Sequence, residues 1–284
     1  MLPQAKLHLG CLLKLEKNSM LAQLRNYLGL AVAYTRLNLR AQLEYRAAFV
    51  TQVAAMFLND GVWVVFWVLF FTRFPVLRGW SLDDVITLWA LSAAGFGLAH
   101  AIYGNVLQLA GLIARGQLDA WMLYPRALLP HMLLGRMNAT AWGDALFGYV
   151  VYLALVRPDL AHFVLFAALT ISTALVFVGF SVFVGSLSFW LGDASSLADQ
   201  WRGSVITFST YPSVLFEGVV KVLLFTLLPA GFISYLPVQA LRDLSLANAG
   251  LALAGACGVL ATGVALFYLG LRRYESGNLM EMRG

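Results

Sequence analysis

Four ionisable side chains fall inside long apolar stretches of this sequence, where a charge is costly. Asp60 follows Asn59 in the middle of the first stretch, and Asp144 lies in the middle of the third. Glu217 and Lys221 are four residues apart in the fifth, so a helix would place them on one face with the acid first. A charge at this depth costs about 3 kcal/mol, so such groups normally face a protein interior or a wet cavity.

Two interpretations of these groups are open. In a functional interpretation, Asp60 and Asp144 line a substrate path or a proton route. In a structural interpretation, the two aspartates tie helices together, while Glu217 and Lys221 lie near the cytoplasmic interface and extend towards water. We favour the structural interpretation for Glu217 and Lys221, and neither one for the two aspartates.

No motif for catalysis or metal binding is present in the sequence. It lacks a G-x-x-x-x-G-K-[ST] phosphate loop, an H-E-x-x-H helix and a G-x-S-x-G elbow. The four histidines are scattered without ligand spacing. Cys11 lies in a basic arm and Cys257 in the last apolar stretch, so we expect no disulfide. The chain is therefore expected to have no catalytic residue, no metal and no cofactor of its own.

The composition indicates that the bilayer is the solvent of this chain. Hydrophobic residues make up 61% of the 284 residues and charged residues 12%. A soluble domain carries about 25% charged residues, so this chain cannot cover a water-facing surface. The length is sufficient for about six spans and leaves no large soluble domain. We predict an all-α polytopic membrane protein with about six transmembrane helices.

Six apolar stretches account for most of the transmembrane domain, residues 47–271, which a cytoplasmic tail follows at 272–284. Each stretch is long enough to cross the hydrocarbon, and turn residues separate them. Pro229 is expected to kink the fifth. The predicted spans are 47–71, 84–113, 131–156, 160–191, 212–235 and 247–271.

Three further segments are expected to lie outside the spans. Residues 1–46 form a cytoplasmic arm, in which leucines at helical spacing between arginines predict an amphipathic interfacial helix over 20–46. Residues 195–210 are too polar for hydrocarbon and predict a second helix at the cytoplasmic interface. Residues 236–246 form an outside segment, and the sequence leaves open whether it re-enters the membrane.

The basic residues predict the orientation. Fourteen of the 19 Lys and Arg residues fall in the segments on one side of these spans, and Lys221 lies within span 5. The other side holds Arg73, Arg78, Arg157 and Arg242. The positive-inside rule therefore places both termini in the cytoplasm. The net charge of +5 is then a topology signal and implies no nucleic acid partner.

Span 6 carries small residues every four positions, at Gly250, Ala254 and Gly258. A helix places them on one face. In lipid such a stripe is typical of close helix–helix packing, and we predict that role for it.

Four stretches, in order along the chain, carry a family resemblance. Residues 116–130 read GQLDAWMLYPRALLP, similar to the G-x-L-D-x-x-L-x-x-P loop of ABC-2 exporter permeases. A Tyr45–Arg46 pair precedes span 1, residues 228–237 resemble the family's P-x-x-F-I-x-Y-x-P segment, and residues 273–278 its closing R-Y-x-S-A/G tail. Two features depart from the family: Tyr124 stands where Arg is frequent, and the longer arm makes Met20 an alternative start.

The resemblance implies an ABC-2 exporter-like fold and a transport subunit that is not itself an enzyme. Its partners would be a dimer of ABC ATPase subunits, which bind ATP and Mg²⁺, and a second related permease or a copy of itself, in membrane lipid. The location would be the bacterial cytoplasmic membrane, and the direction export. The family's loop forms a coupling helix that docks on the ATPase, a role that carries over to Leu118, Asp119, Trp121, Met122, Leu123 and Arg126.

The resemblance also implies that substrate passes between two membrane subunits along spans 1, 2 and 5. The apolar span faces favour a hydrophobic or amphiphilic cargo. Two other functions stay open. One is an ion- or proton-coupled secondary transporter with Asp60 and Asp144 as carriers, although the sequence shows no inverted repeat. The other is a non-transporting membrane scaffold subunit.

Overall fold

The computed structural model describes the backbone of residues 20–274 and the side chains of residues 25–274. Cys11, residues 1–19 of the arm and residues 275–284 of the tail, with most of the closing motif, lie outside the described residues. The helices are α1 (Met20–Glu44), α2 (Arg46–Arg73), α3 (Leu82–Ile102), α4 (Leu109–Ala114), α5 (Leu118–Met122), α6 (Leu128–Leu134), α7 (Ala141–Val151), α8 (Leu160–Ser186), α9 (Ser188–Leu191), α10 (Ser195–Ser209), α11 (Gly218–Leu223), α12 (Leu236–Arg242) and α13 (Leu246–Leu271).

The predicted all-helical architecture is confirmed. Short 3₁₀ segments lie at Gly104–Gln108 and Ser213–Leu215, and π turns at Tyr152–Val156 and Gly231–Tyr235. Among the described residues, four helical stretches are long and apolar enough to cross a membrane, by length and composition: α2, α3, α8 with α9, and α13. Shorter apolar stretches lie at Gly104–Ala114 and Ala141–Val156.

Helix α3 is the centre of the bundle. In its most apolar 18-residue segment, 83% of the residues are buried, whereas the share for α2 is 17%. Helix α3 packs on both α7 and α8. Glycines permit this approach, because a Cβ at Gly97 would lie 2.6 Å from the carbonyl oxygen of Ala141, and one at Gly148 would lie 2.7 Å from Ala94. Side chains at these positions would push the helices apart.

The bundle has two ends, which we name after two tryptophans. At the Trp121 end, Tyr34 of α1 is hydrogen-bonded to His131 of α6, and the Trp121 ring lies against His131. At the Trp80 end, the Arg242 guanidinium lies over the Trp80 ring and pairs with Asp84. The chain therefore presents different surfaces at the two ends.

The second and third predicted spans, 84–113 and 131–156, are each broken, which corrects the prediction of continuous helices. Helix α3 ends at Ile102, and residues 135–140 separate α6 from α7. The two breaks face each other: the Asn138 backbone N–H donates to the His100 carbonyl at 3.1 Å, and the Asn105 side chain donates to the Met132 carbonyl at 2.8 Å. Each break thus supplies hydrogen bonds that the other lacks.

Helix α10 forms over Ser195–Ser209, as predicted for residues 195–210, and it runs into the bundle. Its last residue is deep in the bundle, where the Ser92 hydroxyl of α3 donates to the Ser209 carbonyl at 3.1 Å. Arg202 is buried, pairs with Asp199 and donates to the Leu107 carbonyl at 3.2 Å. Two bonds from Nη2 of Arg202, to the Asp199 carboxylate and the Leu107 carbonyl, offset the burial of its charge, whereas Nη1 has no partner among the described residues.

The fifth predicted span, a kinked helix over 212–235, is also wrong. After Ser213–Leu215 the chain reaches the Trp80 end, where Glu217 pairs with Arg78 at 2.5 Å. It then turns inward, so that the Thr173 hydroxyl, halfway along α8, donates to the Ile233 carbonyl at 2.9 Å. Helix α12 returns to the Trp80 end, where Arg242 meets Asp84. Residues 218–242 therefore form a hairpin that begins and ends at the Trp80 end and reaches into the bundle, and we call it the re-entrant hairpin.

Thr173→Val tests what holds this hairpin. Valine keeps the shape of threonine but removes the hydroxyl that α8 donates to the Ile233 carbonyl. We expect this loss to lower the free energy of unfolding by about 1–3 kcal/mol. Thr170→Val is the matched control, because the buried Thr170 hydroxyl donates only within its own helix, to the Phe166 carbonyl. Thermal unfolding of both purified variants in detergent is the measurement. Equal midpoints would contradict the role of Thr173.

Candidate functional site

A cavity of about 270 Å³ lies among α2, α3, α7, α8 and α10. Its mouth is on the side of the bundle, where Asn59 and Trp63 of α2 and Thr207 of α10 are exposed. Beyond the mouth, Trp67 of α2 contacts Tyr211, with ring centroids 5.9 Å apart. This contact closes the gap between α2 and the end of α10 on the side towards Trp80.

Asp60 and Asp144, which the sequence singled out separately, meet in this cavity. Asp60 lies on α2 and Asp144 on α7, with only 6% and 3% of their surfaces exposed. The two carboxyl groups are within hydrogen-bonding reach of each other. Gly143 allows this approach, because a Cβ there would lie 2.5 Å from the Val53 carbonyl oxygen.

The geometry of this acidic pair favours a proton or a cation shared between the two carboxyl groups. The Oδ2 atom of each carboxyl is buried, and no described N–H or O–H group donates to either one. Two acceptors that face each other in an apolar site are stable only with a proton or a cation between them. The pair both joins α2 to α7 and lines a cavity, so both interpretations of the aspartates remain predictions.

Aromatic rings form much of the cavity wall, and sequence reasoning did not find them. Trp63 of α2 and Trp89 of α3 are stacked, with centroids 5.7 Å apart and planes 19° apart. Phe96 and Phe177 meet edge to face at 5.5 Å on the inner side. Residues on five elements contribute, and no spacing along one helix reveals such a set. The lining residues are Met56, Asn59, Asp60, Trp63, Trp89, Ser92, Ala93, Phe96, Asp144, Phe177, Ile206, Thr207, Ser209, Thr210 and Tyr211.

Glu217 and Lys221 do not belong to this cavity, and they do not form the predicted pair on one helix face. Glu217 precedes α11 and is bound to Arg78 of the loop after α2. Lys221 lies in the last turn of α11 and is exposed. Both lie at the Trp80 end, whereas the sequence placed them near the end that carries most of the basic residues. The re-entrant course of the chain explains this difference.

The predicted coupling loop divides into an anchored part and an exposed part. Leu118 is fully buried in the main core, and Trp121 and Met122 are half-buried against that core. Leu123 is 85% exposed, and Arg126 is exposed beside it. Asp119 is half-buried, close to Tyr274 of the tail. The docking role assigned to these six residues stays a prediction.

The arm is attached to this loop by contacts that the sequence did not indicate. The Tyr34 hydroxyl and His131 Nε2 are hydrogen-bonded at 2.6 Å, and the Asn38 side chain donates to the Leu134 carbonyl at 3.1 Å. His131 also contacts the rings of Trp121 and Tyr124, at 5.2 and 4.9 Å. Tyr34 and Asn38 are four residues apart on α1, so one helix face makes both contacts.

The stripe at Gly250, Ala254 and Gly258 is exposed in the described part of the chain. A Cβ at Gly250 or Gly258 would meet nothing within 4 Å. Helix α13 packs on α8 through another face, which includes Gly263. The stripe therefore makes no close packing with the described part of the chain, and its packing against another helix stays a prediction.

The chain matches a known protein family. A family model described as "ABC-2 family transporter protein" matches residues 57–277, which is most of the chain. The chain belongs to the ABC-2 transporter family. The predicted resemblance is thereby confirmed, and the protein is a multi-pass membrane component of an ABC transporter.

ABC-2 membrane subunits lack a nucleotide site, and the family in general implies an ABC ATPase partner. The family match covers the loop around Trp121 and every lining residue of the cavity except Met56. A search of curated proteins finds no match to this chain, and a search of solved structures finds none either.

The shared proton of the acidic pair leads to a stability prediction. Asp144→Asn keeps a hydrogen-bond donor next to Asp60, so we expect little change in the free energy of unfolding at pH 7. Asp144→Leu removes that donor and leaves the Asp60 carboxyl buried alone, which should cost about 1–3 kcal/mol. Thermal unfolding in detergent compares the two variants. If Asn and Leu were equally destabilising, the shared hydrogen bond would be ruled out.

Proposed function

We propose that this chain is a permease subunit of an ATP-driven exporter. It forms the substrate path with a second permease subunit, related or identical, and is coupled to a separate ATPase pair through residues 114–130. The observation that carries this proposal is the surface at the Trp121 end. There Leu123, Tyr124 and Arg126 are exposed directly after the short helix α5, whose Leu118 is buried.

The anchoring of this surface suits it to transmit force. Leu118 packs in the core formed largely by α3, α4 and α8, so α5 cannot move without moving its neighbours. Trp121 covers Gly135 so closely that a Cβ there would overlap its ring, and this joins α5 to the end of α6. A push on Leu123 from a docked ATPase would therefore reach the helices around the cavity.

In this proposal the Trp121 end faces the bacterial cytoplasm, with both termini inside and α1 at the membrane interface. The positive-inside rule supports this orientation, because Arg115, Arg126 and Arg136 lie at the Trp121 end. The proposal counts six spans: α2, α3 with α4, α6 with α7, α8 with α9, α10 with residues 210–217, and α13.

The energy source lies outside this chain. ATP and Mg²⁺ would be bound by the partner ATPase pair, whose closing and opening drives the two permeases between inward-open and outward-open states. The cavity supports a substrate path along spans 1 and 2, because α2 and α3 supply much of its lining. Helix α10 supplies the facing wall, and the predicted span 5, residues 212–235, supplies no lining residue. Its apolar and aromatic walls favour a hydrophobic or amphiphilic cargo.

Leu123→Glu tests the docking surface. The tagged full-length chain is purified from its native membranes, and the ABC ATPase that accompanies it is quantified. A charge in an apolar docking cleft should weaken the free energy of binding by about 1.4 kcal/mol or more. We therefore expect the amount of ATPase that copurifies with the variant to fall about tenfold or more.

The matched control is Leu246→Glu. Leu246 is 81% exposed and is the first residue of α13, and the capping residue Ser245 closely follows α12. We expect normal ATPase recovery from that variant. Unchanged recovery with Leu123→Glu, while the variant remains folded, would refute the docking role of this loop.

The buried acidic pair favours one second candidate, an ion- or proton-coupled secondary transporter. Such a protein would move its substrate in liposomes that contain this chain alone and an imposed ion gradient. Under the exporter proposal we expect no transport in that system until the copurified ATPase and ATP are added. Transport by the chain alone, abolished by Asp60→Asn/Asp144→Asn, would establish the secondary transporter instead.

A further inference from the structure

The cavity holds an acidic pair with no basic partner. Asp60 and Asp144 are both buried in it, and two such carboxyl groups that share one proton carry one negative charge between them. None of the lining residues, all within the described part of the chain, is Lys, Arg or His. Arg202, the buried guanidinium of α10, is already engaged by Asp199 and the Leu107 carbonyl. A lone buried charge of this kind is stabilised when a cation enters the site.

The walls of the cavity suit an organic cation better than a hydrated metal ion. Trp63 and Trp89 are stacked next to the acidic pair, and Tyr211 adds a further ring. Aromatic faces attract ammonium groups within about 6 Å, and they do so more strongly when water is excluded. No group of three or more His, Cys, Asp or Glu residues that could hold a metal occurs in the described residues.

The size and the mouth of the cavity define the shape of the ligand. At about 30 Å³ for each water-sized group, 270 Å³ accommodates a portion on the order of ten non-hydrogen atoms. The mouth opens beside α2, whose outer face exposes large apolar side chains such as Val62, Phe66 and Leu69. An apolar tail that leaves the cavity would lie along this face.

We propose that the cavity is a binding site for a monocationic amphiphile, with an ammonium group against Asp60 and Asp144, aromatic contacts from Trp63 and Trp89, and an apolar tail that leaves between α2 and α10. That this ligand is the exported cargo rests on the proposed function. The binding itself does not, because the site lies within one protomer and needs no ATPase.

The test measures binding to the purified full-length chain in uncharged detergent by isothermal titration calorimetry. The probe is hexyltrimethylammonium, and the comparison ligand is octanoate, which has the same number of non-hydrogen atoms and the opposite charge. We expect saturable binding of the cation at one site per chain, and at least tenfold weaker binding of octanoate. Equal affinity for the two ligands, or no binding of the cation, would overturn the proposal.

Variants locate the charge. Asp60→Asn/Asp144→Asn removes it and should weaken cation binding at least tenfold, whereas either single Asn variant retains one ionised carboxylate and should stay within about threefold of the unchanged chain. Asp243→Asn, which removes an exposed charge after α12, should bind normally. Normal binding by the double variant would overturn the proposal.

A second pair of variants avoids the buried carboxyls, in case the double variant does not fold. Thr207→Trp fills the mouth from an exposed position and should abolish binding of hexyltrimethylammonium. Gly203→Trp, one turn away on α10 and outside the lining, has open space around its Cβ and should bind normally. If Thr207→Trp bound as well as Gly203→Trp, the site would not be this cavity. Loss of cation binding without loss of the copurified ATPase would leave the exporter proposal intact.

Discussion

Helix breaks leave backbone carbonyl groups without partners in their own helix. The need to supply these carbonyls with hydrogen-bond donors is the constraint on which this structure depends. In hydrocarbon, irregular backbone is stable only where protein groups satisfy it. Here donors come from neighbouring elements: the Asn105 amide reaches the Met132 carbonyl, the Thr173 hydroxyl the Ile233 carbonyl, and the Tyr235 hydroxyl the Phe208 carbonyl at 2.5 Å. These bonds allow broken helices and a re-entrant hairpin within a chain of mostly apolar residues.

The cavity is a consequence of the same pattern. Because α10 ends deep in the bundle, with the Ser209 carbonyl held by Ser92, it does not fill the space between α2 and α3. The space is lined by aromatic rings and by Asp60 and Asp144, which hold α2 to α7. The ABC-2 membership of the chain gives this cavity a biological context, since every lining residue except Met56 lies within the matched residues 57–277.

The sequence predicts the parts of this fold whose cause is local. Residues 47–71, 160–191 and 247–271 are long apolar runs, and each is helical in the structure. The course of residues 195–235 was not predictable from the sequence. The charge of Arg202 indicates a segment outside hydrocarbon, and only the structure shows that the Leu107 carbonyl can accept a hydrogen bond from it. Asp60 and Asp144 each stood out by depth, but their meeting depends on Gly143, which only the packing of α2 on α7 reveals.

The mouth of the cavity lies halfway along α2, on the side of the bundle, while the re-entrant hairpin covers the way towards the Trp80 end. Under the exporter proposal, this mouth opens to the plane of the bilayer, and a solute would enter it from lipid and not from water. Its concentration at the site is then set by its partition into lipid, so a poorly water-soluble amine at low aqueous concentration can still saturate the cavity. Recognition by this protein would begin with the membrane, which concentrates and orients the ligand before any side chain meets it.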